Sequence, residues 1–247
     1  MTARYALYFA PAAKSKLWQA ASQWLGRDAR TNQTHVQPEI GSISAAELAS
    51  FTQAPRLYGF HATLKPPMRL AQDCSLPQLR AAIAEQCSQI NAFELPALRL
   101  KVMGNFLAMR LQQDSQAMTE LATRLVLELD EFRAPPTELE KQKRLAKPLT
   151  ERQLSYLQQY GYPYVCEEFR FHFTLSSSLP EPYLLLLQQA ASQHFAEALQ
   201  EPIMVDQVAL YVQESAEQQS PFVLVEEFGL AQESAATVKQ SRVAEPC

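Results

Sequence analysis

The chain has 247 residues, 47% apolar and 19% charged, enough material for one large core or two small lobes. Its formal net charge of -4, without a dense basic stretch, argues against long nucleic acid as a partner, because such binding rests on many cation–phosphate contacts. No run approaches the roughly 20 apolar residues that cross a bilayer. With six glycines there is neither a GxxxxGK[ST] nor a GxGxxG loop, and the cysteines at 74, 87, 166 and 247 lack zinc or CxxC spacing, as expected of reduced thiols in a cytoplasmic protein.

Taken in order, residues 4–10 read as a first strand, since their apolar run is too short for a signal peptide. A helix near 12–25 carries Leu17, Ala21, Trp24 and Leu25 at helical spacing, and residues 27–42 read as a polar loop. Ser44-Ala45-Ala46-Glu47 is a capping box that predicts a short helix ending before Pro55. A strand follows over about 57–65, then a helix near 76–91 with Leu79, Ile83, Cys87 and Ile90 on one face. Strands over about 93–102 and 105–112 join at Gly104-Asn105, which has hairpin chemistry. Met118, Leu121, Leu125 and Leu129 predict a core-facing helix near 115–130.

Pro135-Pro136 and the charged stretch 137–148 read as a crossover between two lobes. Thr150-Glu151-Arg152-Gln153 opens a helix that stops at Gly161. A strand over 166–177, a helix over about 181–199 and strands near 203–213 and 221–229 complete the pattern. Residues 1–230 thus read as a single bilobal α+β domain, and 231–247, poor in large apolar residues, as a disordered tail.

The chemistry lies in two strands. Alternate strand residues point to opposite faces. In the second, Phe169, Phe171, Phe173 and Leu175 share an apolar face, while Arg170, His172, Thr174 and Ser176 share a polar one. In the first, Tyr58, Phe60, Ala62 and Leu64 lie opposite Gly59, His61, Thr63 and Lys65. One His-x-Thr alone reads as a solvated strand face. Two copies on matching amphipathic strands, each ending Thr-Leu, point to one shared site. His35 and His194 have no ligand-spaced partner, so no metal site is expected. Arg110, Lys141, Lys143 and Arg144 read as surface charges, the last three alternatively as a lid.

Paired His-x-Thr strands about a hundred residues apart resemble the 2H phosphoesterase superfamily. Leu57-Tyr58-Gly59-Phe60-His61-Ala62-Thr63-Leu64-Lys65-Pro66-Pro67, Gly161-Tyr162-Pro163-Tyr164-Val165 and Phe169-Arg170-Phe171-His172-Phe173-Thr174-Leu175 resemble a narrower, DUF1045-like branch found beside phosphonate-utilisation genes. Arg4 to Pro11 and Trp24-Leu25-Gly26-Arg27-Asp28 fit that branch, whereas Tyr160 stands where it would carry Trp. The resemblance spans about residues 1–230. It implies a duplicated, LigT-like fold with antiparallel sheets flanking a central cleft, and metal-independent phosphodiester hydrolysis without a cofactor.

In that scheme His61 and His172 serve as general acid and base, in an order the sequence leaves open, and Thr63 and Thr174 donate to the non-bridging oxygens. Lys65 and Arg170 either hold the phosphate or sit as solvent-edge charges. The expected substrate is a small cyclic or linear phosphodiester, and the resemblance to that branch implies a link to phosphonate breakdown. The alternatives are an RNA-end 2′,3′-cyclic phosphodiesterase or 2′-5′ RNA ligase-like enzyme, and a non-catalytic phosphate-ester binding module.

Overall fold

The computed structural model describes residues 3–215 and 220–232. In chain order the elements are β1 (Arg4–Phe9), α1 (Lys16–Leu25), α2 (Ala45–Phe51), α3 (Gln53–Tyr58), β2 (Ala62–Met68), α4 (Leu76–Ser88), β3 (Phe93–Leu95), β4 (Leu98–Met103) and β5 (Phe106–Leu111). They continue as α5 (Gln116–Glu128), α6 (Glu138–Leu145), α7 (Glu151–Tyr160), β6 (Phe173–Thr174), α8 (Glu181–His194), β7 (Ile203–Val205), β8 (Gln207–Gln213) and β9 (Val223–Gly229). Short polar residues start most of the helices. The hydroxyls of Ser15, Ser44, Ser75, Ser115, Thr137 and Thr150 each accept a bond from a first-turn N–H that has no partner inside its helix.

Two antiparallel sheets form the α+β framework. The first has the order β2-β1-β8-β9 and the second β4-β5-β6, with β3 and β7 pairing separately. Helix α5 lies against β2, α4 against β9, and α8 against β4 and β5, so each sheet is covered by helices on one side. The sheets meet through aromatic rings: Phe60 stacks on Phe173 with centroids 4.4 Å apart, and Phe9 lies 6.1 Å from Phe173. All three are fully or almost fully buried. Phe60 precedes His61 and Phe173 follows His172, so this contact brings the two motifs together.

Several local expectations are corrected. The sheets are not consecutive halves of the chain. β8 and β9 return from the C-terminal side to pair with β1, and β6 joins β5 from before the Pro135-Pro136 break. The charged stretch after that break forms α6, opened by a capping box of Thr137 and Glu140. The capping-box helix α2 ends at Phe51, before Pro55 as expected, but a second helix, α3, follows at once with Pro55 in its first turn, where a missing N–H costs nothing.

The first motif strand therefore begins at Ala62, and Tyr58 closes a helix instead of continuing a strand. The second is extended but paired only at Phe173 and Thr174, after a 3-10 turn at Cys166–Glu168. Ordered pairing reaches Ala231, which bridges to Asn91; the rest of the expected tail lies outside the described residues. Among the described residues, no helix is long and apolar enough to cross a membrane.

Candidate functional site

His61 and Thr63 project from the start of β2. Thr63 lies directly opposite Tyr8 on β1, and opposed residues of an antiparallel pair share a face. The His61 ring stacks on Tyr8 with centroids 3.7 Å apart and planes at 19°, and lies 6.1 Å from the Tyr211 ring. Its Nδ1–H donates to the Gly59 carbonyl at 2.9 Å; a carbonyl can only accept, so Nδ1 carries the proton. Nε2 then keeps its lone pair, with no hydrogen-bond partner among the described residues.

His172 repeats this arrangement. Its Nδ1–H donates to the Arg170 carbonyl, again two residues back, at 2.8 Å. Nε2 is again unpartnered, and Phe106 flanks the ring at 6.1 Å. Thr174 lies opposite Ala108 on β5. The hydroxyls of Thr63 and Thr174 make no side-chain hydrogen bond within the described protein, and both residues are half-buried. Two imidazoles with matching tautomers and two free hydroxyls are thus offered by neighbouring strands of the two sheets.

The electrostatics separate the two rings. Burial pushes the His61 pKa down to about 4, the bond to Gly59 working against it, with the charges of His172 and Arg27 lowering it further. The effect of His172 on His61 is in keeping with the Phe60–Phe173 stack that draws the two motifs together. His172 is also lowered, first by burial and then by the Arg110 cation, against the bond to Arg170. Both are therefore neutral near pH 7, His61 more firmly. Unfolded histidine titrates near 6.5. Between pH 6.5 and 4 the unfolded chain binds a proton that folded His61 refuses, so stability falls as pH drops through this window. At pH 5 this loss is on the order of 1–2 kcal/mol. Denaturant melts at pH 7.5 and 5.0 should show His61→Asn losing less stability than the parent; equal losses would contradict a depressed His61.

The loop before His61 is held by a buried cation. Arg27 donates from Nε to the Arg56 carbonyl at 2.8 Å, and from Nη2 to the carbonyls of Leu57 at 3.1 Å and Phe222 at 3.0 Å. The Tyr211 hydroxyl donates to the Phe60 carbonyl at 3.5 Å. Behind the second motif, the Trp24 indole donates to the Leu175 carbonyl at 2.9 Å. Arg27, Tyr211 and Trp24 position backbone and were not singled out for this by the sequence.

Lys65 does not join the site. Tyr8 pairs with Thr63 but Leu7 pairs with Lys65, so Leu64 is an extra residue, a β-bulge that turns Lys65 to the opposite face from Thr63. There Lys65 is 2% exposed, donates to the Val126 carbonyl at 3.0 Å and lies 3.7 Å from Asp130. Arg170 is exposed and folds back on the carbonyls of Glu167 and Phe169. Ser176 is buried, accepting from the Leu107 N–H and donating to the Ser177 carbonyl, and so clasps strands together. His194 packs against Trp24 with Nε2 bonded to the Ala20 carbonyl, a structural role. Among the described residues no group of three or more His, Cys, Asp or Glu side chains could hold a metal ion.

Arg110 reads from the sequence as a surface charge, yet it follows directly on the ladder in which Ala108 opposes Thr174 and Met109 opposes Phe173, so its place on β5 is next to the second motif. Its influence on the His172 ring agrees with that placement. No local signal marks it, because its significance comes from a strand pairing between distant parts of the chain.

Two curated relatives are named ribose 1,5-bisphosphate phosphokinase PhnN. The one from Janthinobacterium sp. (strain Marseille) is 38% identical over 89% of this chain, and the one from Laribacter hongkongensis (strain HLHK9) is 36% identical over 86%. In both, the match occupies 49% of the relative, so the chain spans about half their length. Solved structures similar to it include Escherichia coli LigT complexed with 3′-AMP, at 13% identity over 94% of this chain and 100% of that one with a TM-score of 0.46. A phosphoesterase matches at 15% identity over 93% and 99%, with a TM-score of 0.42. The profile of one family matches residues 63–223, which takes in Thr63, His172 and Thr174. The chain belongs to that family, described as a protein of unknown function (DUF1045).

Proposed function

We propose that this protein is a metal-independent phosphodiesterase of the two-histidine type, acting on a small cyclic or linear phosphodiester. The observation that carries this reading is the repeated tautomer lock: each motif histidine is fixed through Nδ1 by a carbonyl two residues back, and its Nε2 and the hydroxyl of the threonine two residues on have no hydrogen-bond partner among the described residues. A binding module would gain nothing from two such proton-transfer atoms.

In hydrolysis, neutral His61 takes a proton from water as the oxygen attacks phosphorus. The P–O bond to the leaving alcohol breaks as His172, protonated once the anionic ester lies beside it, gives its proton to the departing oxygen. The stronger depression of His61 favours it as base, and the less depressed His172 as acid. Thr63 and Thr174 donate to the non-bridging oxygens, where charge is redistributed in the transition state.

The names of the curated relatives favour a link to phosphonate metabolism and to ribose phosphates. Opening a cyclic phosphate on ribose leaves a ribose phosphomonoester, the class of compound named as the substrate of those kinases. The test is a panel of ribosyl cyclic phosphates and 2′,3′-cyclic nucleotides assayed with excess chelator. Turnover of at least one cyclic ester, undiminished by chelator, is expected. Loss with chelator would overturn the metal-free scheme, and ligand binding without turnover on any ester would favour the binding module.

A further inference from the structure

The sheet β4-β5-β6 carries more than His172 and Thr174 on one face. Arg99 on β4 opposes Arg110 on β5, and Lys101 opposes Ala108. Ala108 in turn opposes Thr174 and Met109 opposes Phe173; continued by one residue, that register sets Arg110 level with His172, on the face of Arg99. Because opposed residues share a face, two rows run outward from the motif: His172, Arg110, Arg99, and Thr174, Ala108, Lys101. The reverse face, with Leu107, Met109 and Phe173, is buried.

In a chain of net charge -4, this strip holds three cations with little to neutralise them. Arg99 and Lys101 are exposed, and neither makes an ion pair or side-chain hydrogen bond within the described protein. Arg110 has 21% of its side chain exposed, and its Nε is buried without a hydrogen-bond partner. Its single carboxylate neighbour, Asp114, stands 3.8 Å away and is 98% exposed, a loose pairing. Unpaired cations close together repel one another, so the strip is suited to an anion that it can share. Ala108, at its centre, is small and fully buried, so the longer side chains around it form the surface of the strip.

We propose that this strip is a second anion subsite, with Arg110 contacting the scissile phosphate beside His172, and with Arg99 and Lys101 taking a further phosphate on the same substrate. This rests on the phosphodiesterase reading and narrows its substrate class to a phosphodiester that also bears a phosphomonoester. Neighbouring strands are about 4.8 Å apart, so Arg99 stands roughly 10 Å from His172 across the sheet. That span fits the two phosphates of one phosphorylated sugar better than a long polyanion.

The matched probes are adenosine 2′,3′-cyclic phosphate with and without a 5′-phosphate. The phosphorylated ester is expected to be preferred at least tenfold in kcat/KM. Arg99→Gln combined with Lys101→Gln should lower that preference ratio at least tenfold; both residues are exposed, so the variant is expected to fold. Calorimetric binding of adenosine 3′,5′-bisphosphate against adenosine 3′-phosphate reads the subsite independently of turnover, and should show the same preference and the same loss. A ratio near one in the parent, or a ratio unchanged in the variant, overturns the subsite even if cyclic esters are hydrolysed. A binding preference that the variant loses, without turnover of any ester, supports the subsite and overturns the hydrolase reading alone.

Discussion

Replacing His61 or His172 by alanine is expected to lower kcat on a cyclic phosphodiester by about 10²–10⁴, the usual cost of losing a general acid or base. The two losses should not add in the double variant, because both groups act in one proton relay. The variants also differ in a way that reports which ring does what. With a p-nitrophenyl phosphodiester, whose leaving group departs as an anion without protonation, loss of the acid matters little while loss of the base still matters. His172→Ala should therefore recover most of its activity on that ester and His61→Ala should not. Recovery by His61→Ala instead would exchange the two roles, and parent-like turnover of cyclic esters by either variant would contradict both. The two rings differ physically: His61, buried against Tyr8 and lowered further by the Arg27 charge, is the harder of the two to protonate.

The site was legible in the sequence to the extent that strand alternation is local. His61 with Thr63, and His172 with Thr174, could be read as pairs on one face from spacing alone, and their apolar neighbours Phe60 and Phe173 do stack in the core. The same rule failed at Lys65, because a single inserted residue at Leu64 reverses the direction of the residue that follows it, and a bulge leaves no composition signal. Arg110, Arg99 and Lys101 were opaque for a different reason. Each is an ordinary cation on a short strand, and only the register β4-β5-β6 puts them on the sheet that carries the second motif.

The framework shows the same division. Helix starts with a Ser or Thr cap were readable, as was the two-residue turn at Gly104-Asn105 between Met103 and Phe106. Thr137-Glu138-Leu139-Glu140 held an equally good capping box, but α6 buries no residue and so shows no apolar periodicity to confirm it. The return of β8 to β1 is a pairing between opposite ends of the chain. Local patterns say nothing about it, and with it the interleaving of the two sheets stayed hidden.

Gly59→Ala is expected to weaken the fold and the site together. Gly59 adopts φ 76° and ψ 177°, a region open to glycine and strained for any residue with a Cβ. That Cβ would also sit 2.4 Å from the Ala29 Cβ, far inside contact distance, with Arg27 Nη2 at 3.4 Å. Backbone strain and overpacking each cost about 1–3 kcal/mol, so a loss of roughly 2–4 kcal/mol should appear in denaturant melts. Relief requires the loop to move, and the Gly59 carbonyl is the acceptor that fixes the His61 tautomer. A shift there frees the ring to present Nδ1, so kcat should fall at least tenfold even where the variant remains folded. Ala29→Gly in the same chain removes the steric clash but not the φ penalty; it should restore part of the stability and part of kcat. A Gly59→Ala variant as stable and as active as the parent would mean that the loop does not set the ring, and the tautomer lock at His61 would lose its structural basis.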